Sequence, residues 1–444
     1  MRESERPNIV FVLSDQQRWD TLSYGNVVEG VTPNLDRLAE EGTLFENCFS
    51  AQPVCGPSRA CLQSGRYATE TGNFVNGKAL PPDVDCIGKR LQAAGYDTAY
   101  VGKWHLAQEQ KAGSRWDVPP AHRAGYAYWR CSNLLEFTSH AYEGYLFGDD
   151  NEKLEIQGYR ADGVTDFALE YIERHTAERP FFLMLSLLEP HHQNDEERFC
   201  GPEGSAERYA GYPLPVDLQK LPGDQAEGFA DYLGACGRLD WNVGRIEALL
   251  RRRGLWENTV FLYTSDHGCH FRTRNFEYKR SCHDASTHVP LVAHGGPFQG
   301  GHRISDLVSL VDIPSTILSV AGVQIPAQFR GIALDQAVAG RIQGREYVFS
   351  QISESVCGRC LRSSRWKYSV ESGSCEDAWN HPSMPYYVER HLYDLENDPH
   401  ELCNLAGDAA YEQVREKLRQ VLLAWIWEVE GERPEIRPAG TKEK

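Results

Sequence analysis

Short apolar runs alternate with amphipathic stretches along most of this chain, and each run stops at a polar cluster. Asn8–Leu13 reads NIVFVL, an apolar run that suits a strand buried on both faces. Thr32–Glu41 (TPNLDRLAEE) carries a helix-start signal, with Leu35 and Leu38 three apart on one face. Asp97–Val101 reads as a second strand and Phe181–Leu188 (FFLMLSLL) as the strongest core strand. Asp240–Arg253 is an amphipathic helix closed by Gly254. Thr259–Tyr263 (TVFLY) is a strand that ends just before Ser265, Asp266 and His267. Strands alternating with helices predict an α/β fold: a large domain with a mostly parallel central sheet flanked by helices. Ligands of such sheets sit outside the carboxyl ends of the strands. Asp15, His191 and Asp266 each follow a strand directly, so they are expected to converge on one edge.

After about residue 340 the texture changes. Glu346–Ser350 and Trp366–Ser369 read as short antiparallel strands, Leu392–Asn404 as a polar loop, Glu412–Val429 as a final helix and Glu435–Lys444 as a loose tail. The expectation is a catalytic α/β domain over 1–340 and a small C-terminal α+β subdomain over 341–444, with a small antiparallel sheet and a terminal helix.

Composition narrows the classes. With 444 residues, 41% hydrophobic and 25% charged, the chain is that of a folded protein. A net charge of −17 argues against general nucleic-acid binding, which needs a basic surface. Met1–Pro7 is polar and does not read as a signal peptide, and no segment approaches the ~20 apolar residues of a membrane span. The chain as given reads as soluble and cytoplasmic, without a membrane partner. Its 13 cysteines are odd in number and irregular in spacing, which speaks against a disulfide framework. Most read as buried thiols, with one exception.

That exception is Cys55, in Cys55-Gly56-Pro57-Ser58-Arg59. Pro57 and Ser58 suit the first turn of a helix. Cys55 then lies at the positive end of that helix, where an anion is favoured, and Arg59, four residues on, can share its face. A nucleophile, a helix N-terminus and a guanidinium within one turn form an oxyanion clamp. Lys103 and His105, two apart after a strand, are expected to point the same way in extended geometry.

Cys-x-Pro-Ser-Arg resembles the signature of the formylglycine-dependent (type I) sulfatases of the alkaline phosphatase superfamily, in which the cysteine is oxidised to 3-oxoalanine, Cα-formylglycine. Arg6–Gln16, Thr32–Phe45, Gly95–Leu106 (GYDTAYVGKWHL), Thr264–Gly268 (TSDHG) and Leu392–Leu405 resemble further segments of that family, in the same order. The resemblance implies the alkaline-phosphatase-like fold and a sulfuric ester hydrolase. One hydroxyl of the aldehyde hydrate attacks sulfur, and the second later expels sulfate. It implies catalytic roles for Cys55, Arg59, His105 and His191. Lys103, Lys279 and His191 would bind substrate; His192 is the alternative to His191, and Arg280 adjoins Lys279. A divalent cation would be held by Asp15, Gln16, residue 55, Asp266 and His267. The family more often has two adjacent aspartates first and Asp-Asn in the second cluster. Gln16 and His267 soften a site otherwise suited to Ca²⁺, so Mn²⁺ becomes an alternative occupant, with Mg²⁺ as a further one that the softening does not itself favour.

The implied partners are a sulfate ester of a saccharide or other small molecule and a formylglycine-generating maturation enzyme. Oligomeric state is not legible. Asp15-Gln16 and Asp266-His267 also resemble phosphonate monoester and phosphodiester hydrolases of the same superfamily, whereas Gly102-Lys103-Trp104-His105 resembles the sulfatase branch. Two clusters carry weaker expectations. His283, His288, His294 and His302 are read as loop or core residues in preference to a second metal site, and Trp116, Tyr126, Tyr128 and Trp129 as core in preference to a substrate wall. Ala107–Tyr145 and Asn194–Gln225 are expected to be specificity loops.

Overall fold

A computed structural model of the chain describes residues 6–25, 28–108, 116–176 and 178–440. Part of the Ala107–Tyr145 loop, the first five residues and the last four lie outside the described residues. Sixteen strands among the described residues form two sheets. The larger comprises β1 (Asn8–Ser14), β2 (Thr43–Phe49), β3 (Asp97–Lys103), β4 (Tyr128–Ser132), β5 (Tyr145–Phe147), β6 (Lys153–Glu155), β7 (Phe181–Ser186), β8 (Thr259–Ser265), β9 (His288–Val289), β10 (Leu291–His294) and β11 (His302–Ser309), in the order β11-β2-β10-β8-β1-β7-β3-β4-β5-β6, with β9 paired to β2. Its centre is parallel, β8 and β7 flanking β1 in register from Asn8 opposite Thr259 to Leu13 opposite Ser186.

The apolar run of β1 is unbroken because both faces of the sheet are covered. Ile9, Phe11 and Leu13 enter one core, with Ala60, Leu62, Ile313 and Ile317 from helices α2 (Cys55–Ser64) and α5 (Asp312–Val320). Val10 and Val12 enter the other, under α1 (Pro33–Glu41), α3 (Arg160–Arg174) and α4 (Gln225–Arg252). At the end of β3, Gly102 has φ 107°, and a Cβ there would lie 1.9 Å from the Ser186 carbonyl oxygen. Glycine is therefore required where β3 closes on β7.

The smaller sheet holds β12 (Val348–Ile352), β13 (Cys357–Arg362), β14 (Trp366–Ser372), β15 (Tyr386–Asp394) and β16 (Glu435–Arg437), with α6 (Glu412–Glu430) packed against it. It corrects two expectations. The start of Leu392–Asn404 is the end of β15, not loop, and the tail is pinned at Glu435–Arg437 as a strand parallel to β15. The helix expected over Asp240–Arg253 begins fifteen residues earlier, at Gln225.

A buried charge cluster joins the two sheets. Lys367 of β14 is 1% exposed and pairs with Asp284 of the one-turn helix Asp284–Thr287 and with Glu401, at 2.5 Å. Glu401 Oε2 also accepts the Asp284 amide at 2.8 Å, and Arg362 stands 3.5 Å from Asp284. All thirteen cysteines are free thiols, eleven of them buried. Among the described residues no helix is long and apolar enough to cross a membrane.

Candidate active site

The carboxyl ends of β8, β1 and β7 lie side by side, so the residues that follow them meet. Asp15, Cys55, Asp266 and His267 offer ligand atoms that all lie within 4.8 Å of one another, and all four are buried. Cys55 opens α2, and its thiol stands 3.4 Å from Asp15 Oδ1, 3.2 Å from His267 Nε2 and 2.8 Å from the Lys279 ammonium. Arg59, one turn on, donates to Asp15 Oδ2 at 3.0 Å, to the Lys103 carbonyl at 2.9 Å and to Ser186 Oγ at 2.6 Å. Lys103 Nζ reaches Asp15 at 2.9 Å and Glu136 at 3.1 Å.

The two neighbouring pairs His191/His192 and Lys279/Arg280 part company in space. His191 Nε2 accepts from Lys279 Nζ at 3.0 Å, whereas His192 turns away to stack on Tyr278, ring centres 4.3 Å apart. Lys279 points into the site, whereas Arg280 is spent on Glu277 and Glu354. Lys103 and His105 do share the site, but not through extended backbone: His105 has φ 58°, and the chain turns there. Gln16, with φ 72°, lies at the rim and accepts the His192 amide through its side-chain oxygen at 3.0 Å, which leaves that oxygen a second lone pair. A cavity of about 70 Å³ opens over these groups, lined by Gln16, Cys55, His105, Glu136, His191 and Lys279, with Asn76 and Asn194 at its sides.

Burial is the first force on Asp15, Asp266, Cys55 and the histidines His105, His191 and His267. It works against the Asp15 carboxylate, but the Lys103, Arg59 and Lys279 cations outweigh it and hold Asp15 well below the usual carboxylate range. Asp266 is pushed up to about 7 by burial and by the Asp15 charge. Burial, then Asp15, pushes the Cys55 thiol up to about 12, so as a thiol it stays protonated. Burial followed by Lys279 lowers His191 and His267, and burial followed by Lys103 lowers His105, so all three imidazoles are neutral.

The donor set fits a divalent cation. It combines two fully buried carboxylates and an imidazole beside the Cys55 side chain. Asp266 Oδ2 is buried and makes no hydrogen bond, although an Arg59 nitrogen lies 3.2 Å away. The His-rich stretch forms no such group: among the described residues the Asp15 cluster alone gathers metal-ligating side chains. His288 is sandwiched between Trp19 and Phe49, and His294 stacks on Trp256. Tyr126 and Trp129 are core, packed with Tyr100 and Trp104; Trp116 stacks on Phe137, and none of the expected aromatics lines the cavity.

Sequence reasoning missed Ser186, Glu136, Asn76 and Glu354. Ser186 left a signal, a lone hydroxyl at the end of an otherwise apolar strand. Asn76 and Glu354 left none. They meet across 278 residues, where Glu354 accepts the Asn76 amide at 2.6 Å while Asn76 accepts the Gly56 amide at 2.9 Å.

Comparison with known proteins shows the family. Residues 7–323 match the family model described as Sulfatase, and residues 273–427 match N-sulphoglucosamine sulphohydrolase, C-terminal. An ulvan-active sulfatase of Formosa agariphila is 28% identical over 439 residues, covering 94% of this chain and 80% of that protein. An N-acetylglucosamine-6-O-sulfatase of Bacteroides thetaiotaomicron is 25% identical, covering 95% and 86%. A solved structure in complex with its substrate D-glucosamine-2-N,6-O-disulfate superposes with a TM-score of 0.76 at 23% identity, covering 97% of this chain and 99% of that one.

Proposed function

We propose, for a chain that belongs to the sulfatase family and hydrolyses sulfate esters, that the ester is an O-sulfate of a carbohydrate, that residue 55 acts as formylglycine, and that a divalent cation sits among Asp15, Gln16, residue 55, Asp266 and His267. The observation that carries this reading is the meeting of Cys55, Asp15, Asp266 and His267 within 4.8 Å, beneath a cavity edged by Lys279 and His191. The carbohydrate part rests on relatives that act on ulvan and N-acetylglucosamine 6-O-sulfate.

Each residue has work that its position allows. Lys103 and Lys279 bring two ammonium groups to the sulfate oxygens, a local excess of cation in an acidic chain. Arg59 fixes the Asp15 carboxylate and ties the head of α2 to β3 and β7 through Lys103 and Ser186. His191 hydrogen-bonds the His192 carbonyl through Nδ1 at 2.6 Å, which turns Nε2 to the cavity. An anionic ester arriving beside Nε2 raises its proton affinity, so His191 takes up a proton and delivers it to the leaving oxygen. His105, neutral and on the cavity wall, serves as base for sulfate release. A divalent cation bound by the carboxylates supplies a Lewis acid that polarises the sulfur–oxygen bonds. As the aldehyde hydrate, residue 55 supplies one hydroxyl to attack sulfur and a second through which sulfate leaves.

Maturation requires a formylglycine-generating enzyme in the host. Two measurements test the whole. Mass spectrometry of the peptide containing residue 55 is expected to show the cysteine-to-aldehyde mass change. Steady-state assay against sulfated monosaccharides, an aryl sulfate and an aryl phosphonate is expected to favour the sulfated sugars. Active protein with unmodified Cys55, or preference for the phosphonate, overturns the reading.

A further inference from the structure

Glu136 sits in the turn Leu135–Phe137 between β4 and β5, only 6% exposed, and lines the cavity beside His191, His105, Asn76 and Asn194. One carboxylate oxygen, Oε1, faces the Lys103 ammonium at 3.1 Å. The other, Oε2, is buried and makes no hydrogen bond. Fixing Lys103 does not account for this carboxylate, because Lys103 is already paired with Asp15 at 2.9 Å. Nor does binding the sulfate. A carboxylate in the wall of an anion site opposes the anion, and a buried oxygen without a donor is costly. Both costs are offset if the ligand brings a donor to Oε2.

We infer that Glu136 is a specificity-determining residue whose Oε2 accepts a hydrogen bond from a hydroxyl or amine that the sugar carries beside its sulfate, and whose charge rejects sugars with a second sulfate or a carboxylate at that place. This rests on the carbohydrate-sulfate reading. Lys103 and Lys279 attract any sulfate alike, so they cannot tell a monosulfated ring from a vicinally disulfated one, whereas a negative oxygen at the adjoining wall does. The discrimination is also asymmetric. A missing donor leaves a buried charge unpaired, and an added anion meets like charge at short range.

The test uses the mature full-length enzyme and the monosulfated monosaccharide it turns over fastest. Each free hydroxyl or amine of that sugar is replaced in turn by hydrogen, and separately by O-sulfate. Wild type is compared with Glu136→Ala and with Glu136→Gln, which keeps the side-chain shape and loses the charge. For wild type, one deoxy position is expected to lower kcat/KM about tenfold or more, chiefly through KM. In Glu136→Ala the same position costs less than about threefold. In Glu136→Gln the neighbouring O-sulfate analogue gains on the parent sugar by about tenfold. Deoxy ratios identical in wild type and Glu136→Ala at every position overturn the inference, even if the variant is slower throughout. A carboxylate that only props Lys103 would give that result, since Lys103 serves all these substrates equally. Should Glu136→Ala not fold, an unchanged O-sulfate ratio in Glu136→Gln overturns it instead. No wild-type turnover of any sulfated sugar would fell the carbohydrate reading itself, a result distinct from equal ratios.

Discussion

Replacing Lys367 with methionine removes the ammonium that joins the largely buried Asp284 and the buried Glu401 at the seam between the sheets. Breaking a buried ion pair by taking away one partner costs about 3–5 kcal/mol. Two features of the seam place this case at the lower end, about 3 kcal/mol. Asp284 keeps Arg362 at 3.5 Å, and Glu401 keeps the Asp284 amide at 2.8 Å. Burial also pushes the Glu401 carboxyl up to about 7, so it takes a proton readily once its cation has gone. A chain this long unfolds with an entropy of about 0.9 kcal/mol/K, so 3 kcal/mol lowers Tm by about 3 °C if the whole molecule melts as a unit, and by more if the small sheet melts first. Differential scanning calorimetry of wild type, Lys367→Met and Lys367→Met/Glu401→Gln reads this directly. The double variant, with one carboxylate neutralised, is expected to regain at least about a third of the loss. A single variant within 1 °C of wild type, or a double variant less stable than the single, refutes the view that Lys367 is held for its charge.

Cys55→Ala is expected to abolish turnover while shifting Tm by no more than about 2 °C, since the loss is one sulfur atom from a buried helix start; retained turnover on a sulfated sugar rules out residue 55 as nucleophile. Chelation by EDTA is expected to remove activity and lower Tm by about 4 °C, with both restored by Ca²⁺ or Mn²⁺, as a cation bound about a thousandfold above its Kd contributes about 4 kcal/mol; unchanged Tm and activity after exhaustive chelation refute the metal site. Gly102→Ala forces a Cβ to within 1.9 Å of the Ser186 oxygen in a left-handed backbone, so soluble yield is expected to collapse or Tm to fall by about 5 °C; wild-type behaviour refutes the close approach of β3 and β7.

What the sequence displayed, it displayed where one local rule dominates. β1, β7 and β8 are central strands covered on both faces, and their unbroken apolar runs say so. The Cys55–Arg59 segment carries helix signal, thiol and guanidinium within a single turn, and both side chains do reach Asp15. Choosing between His191 and His192, or Lys279 and Arg280, needed three dimensions, because neighbours in a loop differ only in which way the chain has turned. The first half of α4 escaped because Gly228, Gly234 and Gly237 weaken helix propensity there. Gly234 is needed because a Cβ would collide with Ser205, a fact of packing and not of pattern. β15 escaped because its polar residues found buried partners: Glu389 is 2% exposed and met by Tyr368 and Arg419.

Glu354 sits at the turn between β12 and β13, completely buried, with one oxygen on the Asn76 backbone and the other 2.6 Å from Arg280. Both contacts belong to the cavity's rim, so a residue of the smaller sheet braces the mouth of a pocket built by the larger. Neither lobe can be grafted, trimmed or swapped as an independent module without unseating Asn76 and Arg280. Conversely, a change confined to the β12–β13 turn offers a way to reshape what enters while the reacting centre beneath stays as it is.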